Sequence, residues 1–164
     1  MNVLFRGFWA STMATSTMTY SLFEAFKNLT LRDRVKPLPQ AQVATTVMNK
    51  MNLTQKLNSE GRQEASMVAH YGYGAVFGVA YALLASKVPG NPVVKGGLFG
   101  LGVWAASYFG IIPALNLEPK DRKQTPQRKA MIIGAHVVWG VSMAIAENSL
   151  KKRGTQMFDA KYRT

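Results

Sequence analysis

The chain contains no cysteine, which removes disulfides and thiolate metal ligands and leaves the redox compartment open. Acidic residues are scarce: eight Asp and Glu stand against 20 Lys and Arg, a formal net charge of +12 over 164 residues. Such an excess points toward nucleic acid, an anionic membrane surface, or both. A nucleic-acid surface interleaves its basic residues with aromatic ones. Here lysine and arginine lie almost wholly between or beyond long uncharged stretches. The membrane reading prevails, with anionic lipid headgroups as the expected partners and no nucleic acid.

Charge is also missing from three long runs. No acid, lysine or arginine occurs from Ala65 to Ser86, from Gly96 to Leu117 or from Ala130 to Ala146. A helix rises about 1.5 Å per residue, so roughly 20 residues cross a hydrocarbon core about 30 Å thick. The mean hydropathy of -0.02 is low for a membrane protein, because the polar connections Lys27 to Arg62 and Asn116 to Lys129 dilute the apolar runs.

A further segment, Gly7 to Phe23, mixes Ser11, Thr12, Thr15, Ser16, Thr17, Thr19 and Ser21 with Phe8, Trp9, Met13, Met18, Leu22 and Phe23. Hydroxyls are tolerated in lipid when they bond to a carbonyl one turn back or to a neighbouring helix, so this segment should face protein. A secretory signal is the alternative, but Arg6 is its only basic start and its centre is not apolar enough. The reading is an all-α integral membrane bundle of four transmembrane helices, about residues 5–26, 65–86, 94–116 and 130–150. These form one domain over 1–153, and a disordered tail follows over 154–164.

Basic residues near span ends are retained in the cytoplasm. Lys27, Arg32, Arg34, Lys36, Lys50, Lys56 and Arg62 in the first connection, with Lys120, Arg122, Lys123, Arg128 and Lys129 in the third, outweigh Lys87 and Lys95. That sum puts both termini outside, whereas Lys151, Lys152 and Arg153 directly after the last span pull the other way. Proline punctuates the connections at Pro37, Pro39, Pro89, Pro92, Pro119 and Pro126. Between residues 39 and 61, Val43, Val47 and Met51 recur at four-residue spacing beside Met48. This predicts an amphipathic helix at headgroup level, with a solvated linker as the alternative. Lys50 and Lys56 there, and Lys151, Lys152 and Arg153 after the last span, are the expected headgroup contacts.

Small residues form ladders: Gly74, Gly78, Ala82 and Ser86 in the second span, and Gly102, Ala106 and Gly110 in the third, with Gly96 and Gly100 as a further pair. They let backbones approach and predict close packing of the second span on the third, within one chain or in a homo-oligomer. The string GGLFGLG at Gly96 to Gly102 follows no strand and opens a span, so it is not a nucleotide loop.

His70 and His136 stand at matching depths in spans that run parallel, and the topology brings Glu24, Tyr108 and Asn116 toward the same level. A polar cluster is expected there, serving as interhelical glue, as a proton or solute path, or as a metal site. The metal reading lacks a third ligand at helical spacing, and no cofactor is expected. Protonation of the two histidines offers a response to mild acid. Glu147 and Asn148, beside the Lys151 cluster, read as snorkelling or locally paired groups. Pro113 should kink or end the third span, and Trp9, Trp104, Tyr108 and Trp139 are interface anchors or packing groups.

Several strings carry a resemblance: His70-Tyr71-Gly72-Tyr73-Gly74 with Tyr81; Gly97 through Tyr108; Pro113-Ala114-Leu115-Asn116-Leu117; and Ala135-His136-Val137-Val138-Trp139-Gly140. Over roughly residues 65–150 the chain resembles the YagU-type family of uncharacterised bacterial inner-membrane proteins. The start Met13 through Thr19 is similar to the threonine- and methionine-containing start of relatives. The resemblance implies a multi-pass location in a bacterial inner membrane and no defined reaction. The leading expectation is a nonenzymatic structural or accessory membrane protein. A small channel or transporter for protons or small solutes comes second, and an enzyme third, because no nucleophile–base pair, carboxylate pair or metal motif stands at usable spacing.

Overall fold

A computed structural model of the chain describes residues 2–34, 39–117 and 124–161. Lys36, Lys120, Arg122 and Lys123, counted above for orientation, lie outside the described residues, as do Pro37, Pro119 and the last three residues. Among the described residues there are helices and turns and no strand. The order is α1 (Val3–Lys27), α2 (Leu31–Arg34), α3 (Pro39–Lys50), α4 (Ser59–Ala85), α5 (Pro92–Ala105), a π-helical stretch (Ala106–Ile111), α6 (Ile112–Ala114) and α7 (Pro126–Lys161). Three helical stretches are long and apolar enough to cross a membrane: Ser59–Ala85, Pro92–Ala114 and Pro126–Gly154.

Asparagine starts three of the four long helices. Asn2, Asn58 and Asn91 each accept a backbone N–H of the first turn through the side chain, and Pro92 occupies the position where a missing N–H costs nothing. The fourth, α7, opens on Thr125, whose Oγ1 accepts the Arg128 N–H at 3.3 Å ahead of Pro126. It continues to Lys161, well past residue 150 and through the segment read as a tail. No proline interrupts residues 151–161, and Lys, Arg, Gln, Met and Ala there are good helix formers.

The bundle is an open row in space rather than a sequential one. Helix α7 is the hub: α5 packs along one side of it and α1 along another, while α4 packs on α1. Helices α4 and α5, although consecutive spans, touch only slightly. This corrects the expected packing of the second span on the third. Each ladder meets a different partner: a Cβ on Gly78 would collide with Ser11 of α1 and one on Gly74 with Thr15 at 2.6 Å, while Gly96 and Gly100 lie directly against Gly140, His136 and Ala144 of α7. Two like ladders need not face each other when each has a better-matched surface elsewhere, here the Gly7-Ser11-Thr15 and His136-Gly140-Ala144 faces. Ala82 is buried beside Gly7, but Gly102 and Gly110 face open space and Ala106 is exposed.

The amphipathic segment is shorter than residues 39–61. Helix α3 stops at Lys50, where Asn52 adopts φ 55° and the Leu53 N–H reaches back to the Met48 carbonyl at 2.9 Å. This is the helix stop in which a residue that tolerates left-handed backbone closes the last turn. The face α3 turns inward carries Ala44 and Met48, both buried, whereas Met51 is exposed, so the buried stripe is displaced one position from Val43-Val47-Met51. Helix α3 packs against α4. The third span ends the same way: Asn116 has φ 51° and the Leu117 N–H bonds to the Ile112 carbonyl at 2.9 Å. Just before that end, the backbone widens to the π-helical stretch over Ala106–Ile111. Pro113 lacks an N–H and its ring would clash with the carbonyl four residues back, and the inserted residue relieves both.

Candidate functional site

Hydroxyls run along both the buried and the exposed faces of α1. Six hydroxyls of α1, those of Ser11, Thr12, Ser16, Thr17, Thr19 and Ser21, donate to carbonyls one turn back at 2.8–3.1 Å. Thr15 differs, because its oxygen accepts the Trp139 indole N–H at 3.1 Å inside the core. Gly74 leaves room for that contact. Ser16 bonds to the Tyr71 hydroxyl at 3.0 Å, and the Tyr73 hydroxyl bonds to Ser107 at 2.5 Å, one of the few links between α4 and the third span. Apolar rings surround this core: Phe99 is stacked on Trp139 and meets Tyr81 edge-on.

His70 and His136 sit at one level of this core. Gly74 lies beside Trp139, and each histidine precedes its neighbour by about one turn in helices that run the same way. His136 Nδ1 is 2.8 Å from the Ile132 carbonyl. A carbonyl only accepts, so Nδ1 carries the proton of that bond and Nε2 of the neutral ring is left as an acceptor. His70 Nε2 is buried with no hydrogen-bond partner among the described residues.

The other expected members are elsewhere. Glu24 pairs with Lys27 at 2.7 Å on an exposed stretch of α1, Tyr108 stacks on Trp104, and Asn116 is exposed at the end of α6. Similar depth does not bring them in: Glu24 and Asn116 lie at helix ends where solvent or headgroups take their polar atoms, and Tyr108 faces a ring of its own helix. Among the described residues no three His, Cys, Asp or Glu side chains come together to hold a metal.

Two polar knots lie at opposite ends of the bundle, and the first takes in Glu147, expected as a snorkelling or locally paired group, whose carboxylate reaches Arg6 of α1. At the end carrying the amino terminus, Arg6 Nε donates to Glu147 Oε1 at 3.0 Å, with both side chains largely buried. Beside them is a cavity of about 50 Å³ lined by Tyr81, Ser86, Pro92, Lys95, Asn148 and Lys151. At the other end Asp33 is buried and accepts from Thr30 at 3.2 Å and from Thr125 at 3.0 Å, while the Arg128 guanidinium donates to the Asp33 carbonyl. Glu147 carried a signal, as the first acid after a run of uncharged residues. Asp33 carried none, since apart from Thr30 its partners, Thr125 and Arg128, lie more than ninety residues away.

Of the lysines and arginine expected at headgroups, Lys50 donates to the Leu115 carbonyl at 2.8 Å and so closes the end of α6. Lys56 is exposed in the turn before α4, and Lys151, Lys152 and Arg153 are exposed on α7.

No curated protein and no solved structure matches the chain. A family model, described as a protein of unknown function, matches residues 30–145. The match begins before α2 and so takes in the connection as well as the three apolar spans, a longer stretch than residues 65–150. With most of its length matched and three helices fit to cross a membrane, the chain belongs to the DUF1440 family of proteins of unknown function.

Proposed function

We propose that the chain is a four-span, nonenzymatic protein of a bacterial inner membrane with a structural or accessory role. One observation carries the role: polar side chains are bonded to one another across helices, Thr15 to Trp139 inside the core and Ser16 to Tyr71 and Tyr73 to Ser107 on exposed faces. Groups bonded in this way tie helices together in lipid and do not face a substrate or a conduit. Helix α1 is the fourth span on the strength of its packing. It lies along both α4 and α7, with Ala10, Ser11 and Ala14 fully buried and its hydroxyls bonded to its own carbonyls. The net charge of +12 favours anionic headgroups at both faces.

The test is ion and proton flux across liposomes holding the purified protein, from pH 5 to 8, beside His70→Gln/His136→Gln. Flux no greater than that of protein-free vesicles is expected, together with reduced thermal stability of Thr15→Val and Tyr73→Phe. Flux that needs the histidines would overturn the structural reading in favour of a small channel or transporter. That second reading is favoured by the buried, unpartnered Nε2 of His70 at the level of His136.

A further inference from the structure

Helices α4 and α5 run antiparallel and touch only slightly. Tyr81 meets Phe99 edge-on, and eight residues away on each helix Tyr73 reaches Ser107. The other contacts of the bundle are built on glycine: Gly78 of α4 lies against Gly7 and Ser11 of α1, and Gly96 and Gly100 of α5 lie against Gly140 of α7. Among the described residues no glycine does this between α4 and the third span, where Gly72, Gly102 and Gly110 meet nothing within 4 Å. Three polar ties cross this seam instead. At one end the Lys95 ammonium donates to the Ala85 and Val88 carbonyls at 3.3 and 2.8 Å. In the middle the Ser107 hydroxyl donates to the Val103 carbonyl at 2.6 Å, so its one proton is engaged and Tyr73 donates to Ser107. At the far end Lys50 donates to the Leu115 carbonyl at 2.8 Å. Lys50 ends α3, which packs on α4, so α3 is a bracket between α4 and the end of the third span.

In lipid, apolar surface gains nothing by leaving acyl chains for another helix, so a helix pair is held by close packing and by hydrogen bonds. With glycine packing absent, the polar ties and the Tyr81–Phe99 ring contact hold this seam. Opening parts Tyr81 from Phe99 and Tyr73 from Ser107 and uncovers apolar and aromatic surface that acyl chains can cover. The geometry supplies a pivot: opposite the seam α1 packs along α7, while α4 stays on α1 and α5 on α7 through their glycine faces. Ser107 itself stands in the π-helical stretch Ala106–Ile111, a widening of the kind frequent at functional sites. We infer that the seam is a lateral gate toward the bilayer: α1 with α4 swings from α5 with α7 about the α1–α7 contact, a hinge closure in which the three polar ties are the latch.

The inference rests on the membrane reading above, and the experiment separates the two. The chain has no cysteine, so Val76→Cys/Leu101→Cys, at exposed positions on α4 and the third span, takes two spin labels in the full chain held in phosphatidylcholine nanodiscs. Double electron–electron resonance then reads the distance across the seam. A major short and a minor long population are expected. Tyr73→Phe and Lys50→Met should each raise the ratio of long to short about threefold, the effect of one hydrogen bond between membrane helices. Thr15→Val, which removes a bond between α1 and α7, leaves that ratio unchanged. Lys50→Met is the safer variant, since Lys50 is exposed. A single short distance that neither variant alters would overturn the gate and leave the membrane reading standing. A long population raised equally by Thr15→Val would show a general loosening of the bundle and overturn the gate as well, whereas a chain that does not enter nanodiscs overturns both readings.

Discussion

Gly100 and Gly102 stand two residues apart in α5 and differ in everything but chemistry. A Cβ on Gly100 would be driven into the His136 carbonyl, whereas one on Gly102 meets nothing within 4 Å. Gly100→Ala is therefore expected to destabilise the bundle by about 2 kcal/mol, within the range for overpacking, and Gly102→Ala to be neutral or slightly stabilising in a helix. Reversible unfolding in mixed micelles would measure both. Arg6 and Glu147 make a second residue-scale case. Replacing either alone leaves a charge in a largely buried place and should cost about 3 kcal/mol, whereas the double variant Arg6→Leu/Glu147→Leu should lie within about 1 kcal/mol of the parent. A double-mutant cycle on the same unfolding measurement gives the coupling, and additive losses would show that the pair is not formed.

At the scale of elements, the spans were legible because their signal is local: uncharged runs about as long as a bilayer is thick. The three that composition marks became Ser59–Ala85, Pro92–Ala114 and Pro126–Gly154. Helix boundaries were legible where a residue announces them, as at Asn91-Pro92 and Pro113. The stop after Lys50 was not, because asparagine in left-handed backbone looks in sequence like any polar residue. It makes a prediction of its own. Asn52→Ala, at φ 55°, should cost roughly 1 kcal/mol and Asn52→Gly nothing, since only glycine and asparagine visit that region readily. Helix pairing was the larger failure. A ladder of small residues tells which face of a helix is close-packed but not which helix meets it, and so α4 and α5 were expected to pack together when each had another partner. The candidate cluster failed for the same reason: His70 and His136 share a level because register within parallel helices is arithmetic, but whether Glu24 or Asn116 joins them depends on rotation about the helix axis.

For the whole molecule, the four crossings proposed above would place Asn2 and Asn91 on one side of the membrane and Asn28 and Asn116 on the other, all four exposed. The chain has no cysteine, so a single Cys at each position reports alone. Labelling of intact cells with an impermeant maleimide is expected to divide the four into those two pairs. If α1 lay on the surface, Asn2 and Asn28 would label alike. The hub position of α7 also bears on how the bundle comes to exist. Spans leave the ribosome in chain order, so α1 and α4 can join as soon as α4 is made, but α5 enters the bilayer with its glycine face bare and waits. Only when α7 follows does that face find Gly140 and does α1 find Trp139. A nascent chain cut short before residue 126 would therefore hold a hairpin and a stray helix, and α7 is the helix that joins them.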